Sequence, residues 1–86
     1  MKTSNQETTL STMEMIEALS KSKNENIALK CSKILSGETT IEHERKYAGG
    51  FLFAVLSGKF EEAIQRADKD NELCLKIAFN KKLLEL

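Results

Sequence analysis

Apolar residues fall along this chain in short runs of helical period, and most runs follow a residue able to cap a helix. Met15, Ile16 and Leu19 form the first stripe. Before it, Ser11-Thr12-Met13-Glu14 reads as a capping box, in which the Ser11 hydroxyl and the Glu14 carboxylate each take an orphan backbone N–H. Leu10 and Met15 stand at the two positions of a hydrophobic staple around it. Residues 21–24 form a connector, and Asn24 predicts the N-cap of a second helix carrying Ile27, Cys31, Ile34 and Leu35. Gly37 ends that helix where a left-handed residue is wanted.

Thr39-Thr40-Ile41-Glu42 reads as another capping box and opens a third helix, with Ile41, Ala48, Phe51, Leu52 and Val55 along one side. Phe53 and Leu56 widen its apolar surface, as in a central helix touched from several directions. Gly58 closes it. Phe60, Ala63, Ile64 and Ala67 predict a short amphipathic fourth helix. Asp70 or Asn71 can cap a fifth, which carries Leu73, Cys74, Ile77, Ala78, Leu83 and Leu84. Leu75, Phe79 and Leu86 make this last helix apolar nearly all round.

Pro is absent and no run alternates with period two, so no strand is expected. The pattern predicts an all-α fold, a compact bundle of about five short helices joined by tight Gly/Asn turns. One helical domain spans residues 10–86, behind a flexible tail over residues 1–9. The expected core is Ile16, Leu19, Ile27, Ile34, Phe51, Leu52, Val55, Phe60, Ile64, Leu73 and Ile77.

Gly58-Lys59-Phe60-Glu61-Glu62-Ala63-Ile64 resembles the second-helix start of a tetratricopeptide repeat, where a Gly-x-aromatic-x-x-Ala-Ile pattern packs a small residue against the preceding helix. Tyr47 falls where the repeat's first-helix aromatic would lie, and Ala67 at a later packing position of the second helix. The resemblance covers residues 47–70 only. It departs from the repeat in having Gly50-Phe51 in place of a Leu-Gly pair and in lacking a closing Pro. It implies two helical hairpins with a terminal capping helix, a peptide- or protein-binding scaffold rather than a catalyst.

Eighty-six residues hold one domain, which buries about 60–65% of its unfolded surface and gains from any partner that buries more. Thirteen basic and thirteen acidic residues cancel, so no global field draws nucleic acid or an anionic membrane. All but two of the cations (Arg45 and Arg66) are Lys, whereas bidentate recognition of phosphate or base edges favours Arg. Cys31 and Cys74 sit within apolar helical patterns and form no CxxC, so they read as buried free thiols of a reducing cytosol. Residues 1–9 lack the apolar stretch of a signal peptide, and no run approaches the roughly 20 apolar residues that span a bilayer. The expected location is cytoplasmic. Lys-, Asn- and Ile-rich usage hints at an AT-rich genome, that of a bacterium or its phage.

Chemistry-bearing clusters are few. His43, the one histidine, lies in Glu42-His43-Glu44-Arg45-Lys46; a zinc protease helix would need a second His four residues on. The run reads as a solvated helix start. Asp68-Lys69-Asp70-Asn71-Glu72 alternates carboxylates as calcium loops do but lacks their central Gly and distal Glu, and reads as a turn and cap. No metal and no cofactor is expected, and no enzyme. Gly49-Gly50 inside a helix would cost about 1 kcal/mol each relative to Ala, and predicts a crossing by the first or fifth helix of the chain, with close approach of a partner helix or ligand, or a hinge, as the alternative. Lys21, Lys23, Lys30 and Lys33 form a local basic cluster that a helix-turn-helix could turn toward phosphates, although the usual small-residue and turn-Gly pattern is missing.

The function expected is a small intracellular protein–protein interaction module, an adaptor or inhibitor masking a surface on a larger protein. Phe53, Leu75, Phe79, Leu83 and Leu86 exceed what one small core hides and are the candidate partner surface. A homodimer through the last helix would use the same surplus. The alternative is a small dimeric helical regulator that binds nucleic acid through the Lys21–Lys33 cluster.

Overall fold

The computed structural model describes residues 10–85 as six helices, with no strand among them. They are α1 (Thr12–Leu19), α2 (Glu25–Ser36), α3 (Ile41–Tyr47), α4 (Gly50–Leu56), α5 (Phe60–Arg66) and α6 (Lys69–Glu85). The tail expected over residues 1–9 and the predicted contact Leu86 lie outside the described residues. The Cα radius of gyration is 12.4 Å, close to the ~12 Å of a compact chain this long.

Local signals set most of the helix ends. Ser11 caps α1: its hydroxyl accepts from the Glu14 N–H at 3.1 Å, and Glu14 accepts from the Ser11 N–H at 2.8 Å. Leu10 and Met15 are both buried at the staple positions around this box. Asn24 caps α2 through the Ile27 N–H, and Gly37 ends it in the left-handed region at φ 86°. Gly58 turns α4 into α5 at φ 78°, and a Cβ there would lie 2.9 Å from the Thr12 hydroxyl oxygen. Both the backbone conformation and the approach of α1 therefore call for glycine.

Two caps differ from the sequence reading. The cap of α3 is Thr40, which accepts from the His43 N–H; Thr39 instead donates to Glu44, so the Thr39–Glu42 box does not form. The cap of α6 is Asp68, whose carboxylate accepts from the Asn71 N–H at 2.8 Å, rather than Asp70 or Asn71.

The helix count rises from five to six because the expected third helix breaks. Ala48 and Gly49 both adopt extended backbone, ending α3 and starting α4 afresh. Two consecutive glycines remove about 2 kcal/mol of helix propensity, enough for tertiary packing to prefer a corner. Gly49 has nothing within 4 Å of where a Cβ would stand, whereas a Cβ on Gly50 would lie 2.7 Å from the Arg66 guanidinium of α5. The close contact at this pair is thus a side chain on one glycine, not a crossing helix on both.

α1 lies at the centre, packing against α2, α4 and α6, while α4 pairs with α5 and α3. Met15, Ile16 and Leu19 of α1 are fully buried with Cys31, Val55, Ala63 and Leu75, closed over by Leu52, Leu56 and Ile34. Of the expected core, Ile16, Leu19, Ile34, Leu52 and Val55 are buried, and Ile27, Phe51, Phe60 and Ile64 pack at its edge. Leu73 and Ile77 are not in it.

Candidate functional site

α6 is apolar on most of its circumference, so its docking decides which apolar residues reach solvent. Its inner face carries Asn71, Leu75, Ala78 and Lys82, at the spacing that puts side chains on one side of a helix. Leu75 is fully buried, and Asn71 is the one buried polar residue among those described. Ser22, in the turn after α1, donates its hydroxyl hydrogen to the Asn71 side-chain oxygen and accepts from the Asn24 N–H. At the other end Lys82 pairs with Glu14 of α1 at 3.1 Å. The Ser11 backbone N–H and Lys82 hold the Glu14 carboxyl below its ordinary value of 4.5, against an opposing push from burial. The inner face is therefore tied at both ends by polar links, with Leu75 between them.

The opposite face holds Leu73, Ile77 and Leu84, which are 57%, 59% and 87% exposed. At i, i+4 and i+11 they form one row along the helix. Grooves run on both sides. One, of about 580 Å³, has Leu35, Cys74, Ile77 and Ala78 among its lining, with Lys21 and Lys81. The other, of about 330 Å³, lies between Phe60 and Ile64 of α5 and Phe79 and Asn80 of α6. Fully burying one such leucine or isoleucine is worth about 1.5–3 kcal/mol, so an uncovered row is a large unused driving force.

Of the five residues read from sequence as a partner surface, the four that are described (Phe53, Leu75, Phe79 and Leu83) are dispersed. Leu75 is a correction: it is core, because α6 turns that side toward α1. Phe79 is half-buried, its ring stacked on Phe60 with centroids 5.5 Å apart. Leu83 is partly exposed beside it on α6, and Phe53, also exposed, belongs to α4. Leu73 and Ile77, assigned to the core, stand outside instead, joined by Leu84. The period of this helix names no inner side, since the 73-77-80-84 row contains Asn80 and the 71-75-78-82 row contains Asn71 and Lys82. The second row faces inward because both of its polar residues find partners elsewhere in the fold.

Other candidates are plain in their surroundings. His43 is exposed on α3, with its ring 5.3 Å from that of Tyr47. Tyr47 ends α3 before the Ala48–Gly49 corner, and Ala67 follows the last residue of α5 in extended backbone. Asp68 serves as a helix cap, and no metal-holding group of side chains occurs among the described residues. Lys21, Lys23 and Lys33 are exposed and Lys30 half-buried along α2 and the turn before it. Burial pushes the Cys31 thiol up to about 12, which makes it an unreactive core residue, whereas Cys74 is half-exposed in the larger groove. No helix among the described residues is long and apolar enough to cross a membrane.

No protein-family model matches the chain, and comparison with curated proteins and with solved structures finds no significant match.

Proposed function

We propose that the protein is a small protein–protein interaction module, an adaptor or inhibitor that lays the apolar outer face of α6 against a larger protein. The observation that carries this reading is the uncovered apolar set Leu73, Ile77 and Leu84, flanked by two grooves that mix apolar with charged and polar side chains. An amphipathic helix docks on another protein through such i, i+4 anchors. The resemblance of residues 47–70 to a tetratricopeptide repeat agrees with a binding scaffold, and the proposal treats the protein as a binder rather than a catalyst.

Affinity capture from the cells that make the protein, with wild type and Ile77→Glu side by side, tests it. Ile77 contributes little to the fold, so circular dichroism and melting of the variant should match wild type. A partner retained by wild type and lost by Ile77→Glu is the expected result. Identical captured sets would remove the α6 face from the function.

A further inference from the structure

The charges flanking the outer row of α6 are ordered in a way that names a partner. Asp70, Cys74 and Lys81 repeat the i, i+4, i+11 spacing of Leu73, Ile77 and Leu84 and so line one flank of that row. Asp70 and Lys81 are both exposed, and neither has an ion-pair partner among the described residues. They are about 16 Å apart along the helix axis, too far to reach each other. The midpoint of this flank, between residues 75 and 76, almost coincides with the midpoint of Leu73 and Ile77. On the other flank Glu72 and Lys76 form an ion pair at 2.7 Å, centred one residue away.

A helix whose flank carries one sign at its start and the other at its end, symmetric about an apolar pair, complements itself when it is reversed. We propose that the outer face of α6 pairs with the same face of a second copy, antiparallel, about a two-fold axis between Leu73 and Ile77. This rests on the reading of that face as an interaction surface and makes a second copy of the chain its first occupant. In the pair, Leu73 of each copy packs on the other's Ile77, as an isologous contact requires. Asp70 of each copy meets the other's Lys81, and the two Glu72–Lys76 pairs adjoin. A parallel two-fold arrangement would instead bring opposite flanks together and set Asp70 of each copy beside the other's Glu72, acid against acid, which is unfavourable. The larger protein of the proposed function then competes with self-pairing, so Leu73 and Ile77 stay covered until that partner arrives, while Leu84 lies beyond the start of the other copy's α6.

Sedimentation over about a hundredfold range of concentration tests the pairing with wild type, Asp70→Lys, Lys81→Glu, the double variant, and an equal mixture of the two single variants. Wild type and the double variant should associate alike. Each single variant places two like-charge contacts in the pair and should raise the midpoint concentration by about tenfold. The mixture should associate like wild type, because each variant then meets its complement. Single variants that associate as wild type does, or a mixture no better than its components, would overturn the antiparallel arrangement. A wild type monomeric throughout would overturn self-pairing altogether; loss of a captured partner on Ile77→Glu would still leave the interaction reading standing, and neither association nor capture would end both. The axis also brings the two Cys74 residues to one place, so a short bismaleimide should link wild type into a covalent dimer and leave Cys74→Ser unlinked, Cys31 being fully buried. A dimer that does not cross-link through Cys74 would refute this axis.

Discussion

α1 buries Met15, Ile16 and Leu19 completely, whereas α6, more than twice as long, buries Leu75 and Asn71 and leaves Leu73, Ile77 and Leu84 outside. α1 holds its place by shape and apolar contact from three neighbouring helices. α6 is held to α1 by a leucine between two polar links, with Phe79 stacked on Phe60 of α5 beside them. The difference teaches that apolar content did not decide burial here. Partners did: Ser22 for Asn71, Glu14 for Lys82.

The contrast is sharpest in truncations to alanine, followed by chemical denaturation of dilute protein. Leu19→Ala should cost about 3–4 kcal/mol, the transfer loss plus a cavity at the centre of the molecule. Ile77→Ala should stay within about 0.5 kcal/mol, as expected of an exposed position. Comparable costs at the two sites would mean that α6 docks with its other side inward. A smaller effect is expected at Asn71→Ala, about 1–2 kcal/mol, because the Ser22 hydroxyl loses its acceptor at a buried junction. If that variant were as stable as wild type, the polar tie would not be what orients the helix.

Smallest is the pH response of the link between α1 and α6. Glu14 has its carboxyl lowered in the folded state, so its contribution is complete above the ordinary value of 4.5 and fades as pH falls through the lower folded value. Glu14→Gln should therefore lose a small part of its stability at neutral pH and show a weaker fall on acidification below 4.5 than wild type. Parallel acid profiles of the two proteins would break the proposed tie. The Glu14 and Lys82 side chains are 35% and 27% exposed, so salt and water hold the effect down.

Helix placement was legible residue by residue where the signal was local. Ser11 with Glu14, Asn24, Gly37 and Gly58 each do in the structure what their types and spacing predict. Errors begin where two local signals compete: Thr39 and Thr40 can both cap, and only the following turn selects Thr40. The Gly49-Gly50 pair shows a second kind of error. Its cost to a helix was readable, but whether the chain tolerates that cost or turns a corner depends on how α4 meets α1 and α5.

By itself the sequence determined an all-α chain, the start and stop of most helices, and a core centred on Ile16, Leu19, Leu52 and Val55. Those outcomes follow from capping bonds and periodicities that act within a few residues. Only the tertiary structure decided that the long central helix breaks at Ala48–Gly49 and that α6 turns Leu75 inward and Leu73 and Ile77 outward. A helix apolar all round has no preferred inner side of its own. The choice rests on contacts between residues 49 and 68 positions apart, Ser22 with Asn71 and Glu14 with Lys82, which exist only once the chain has folded.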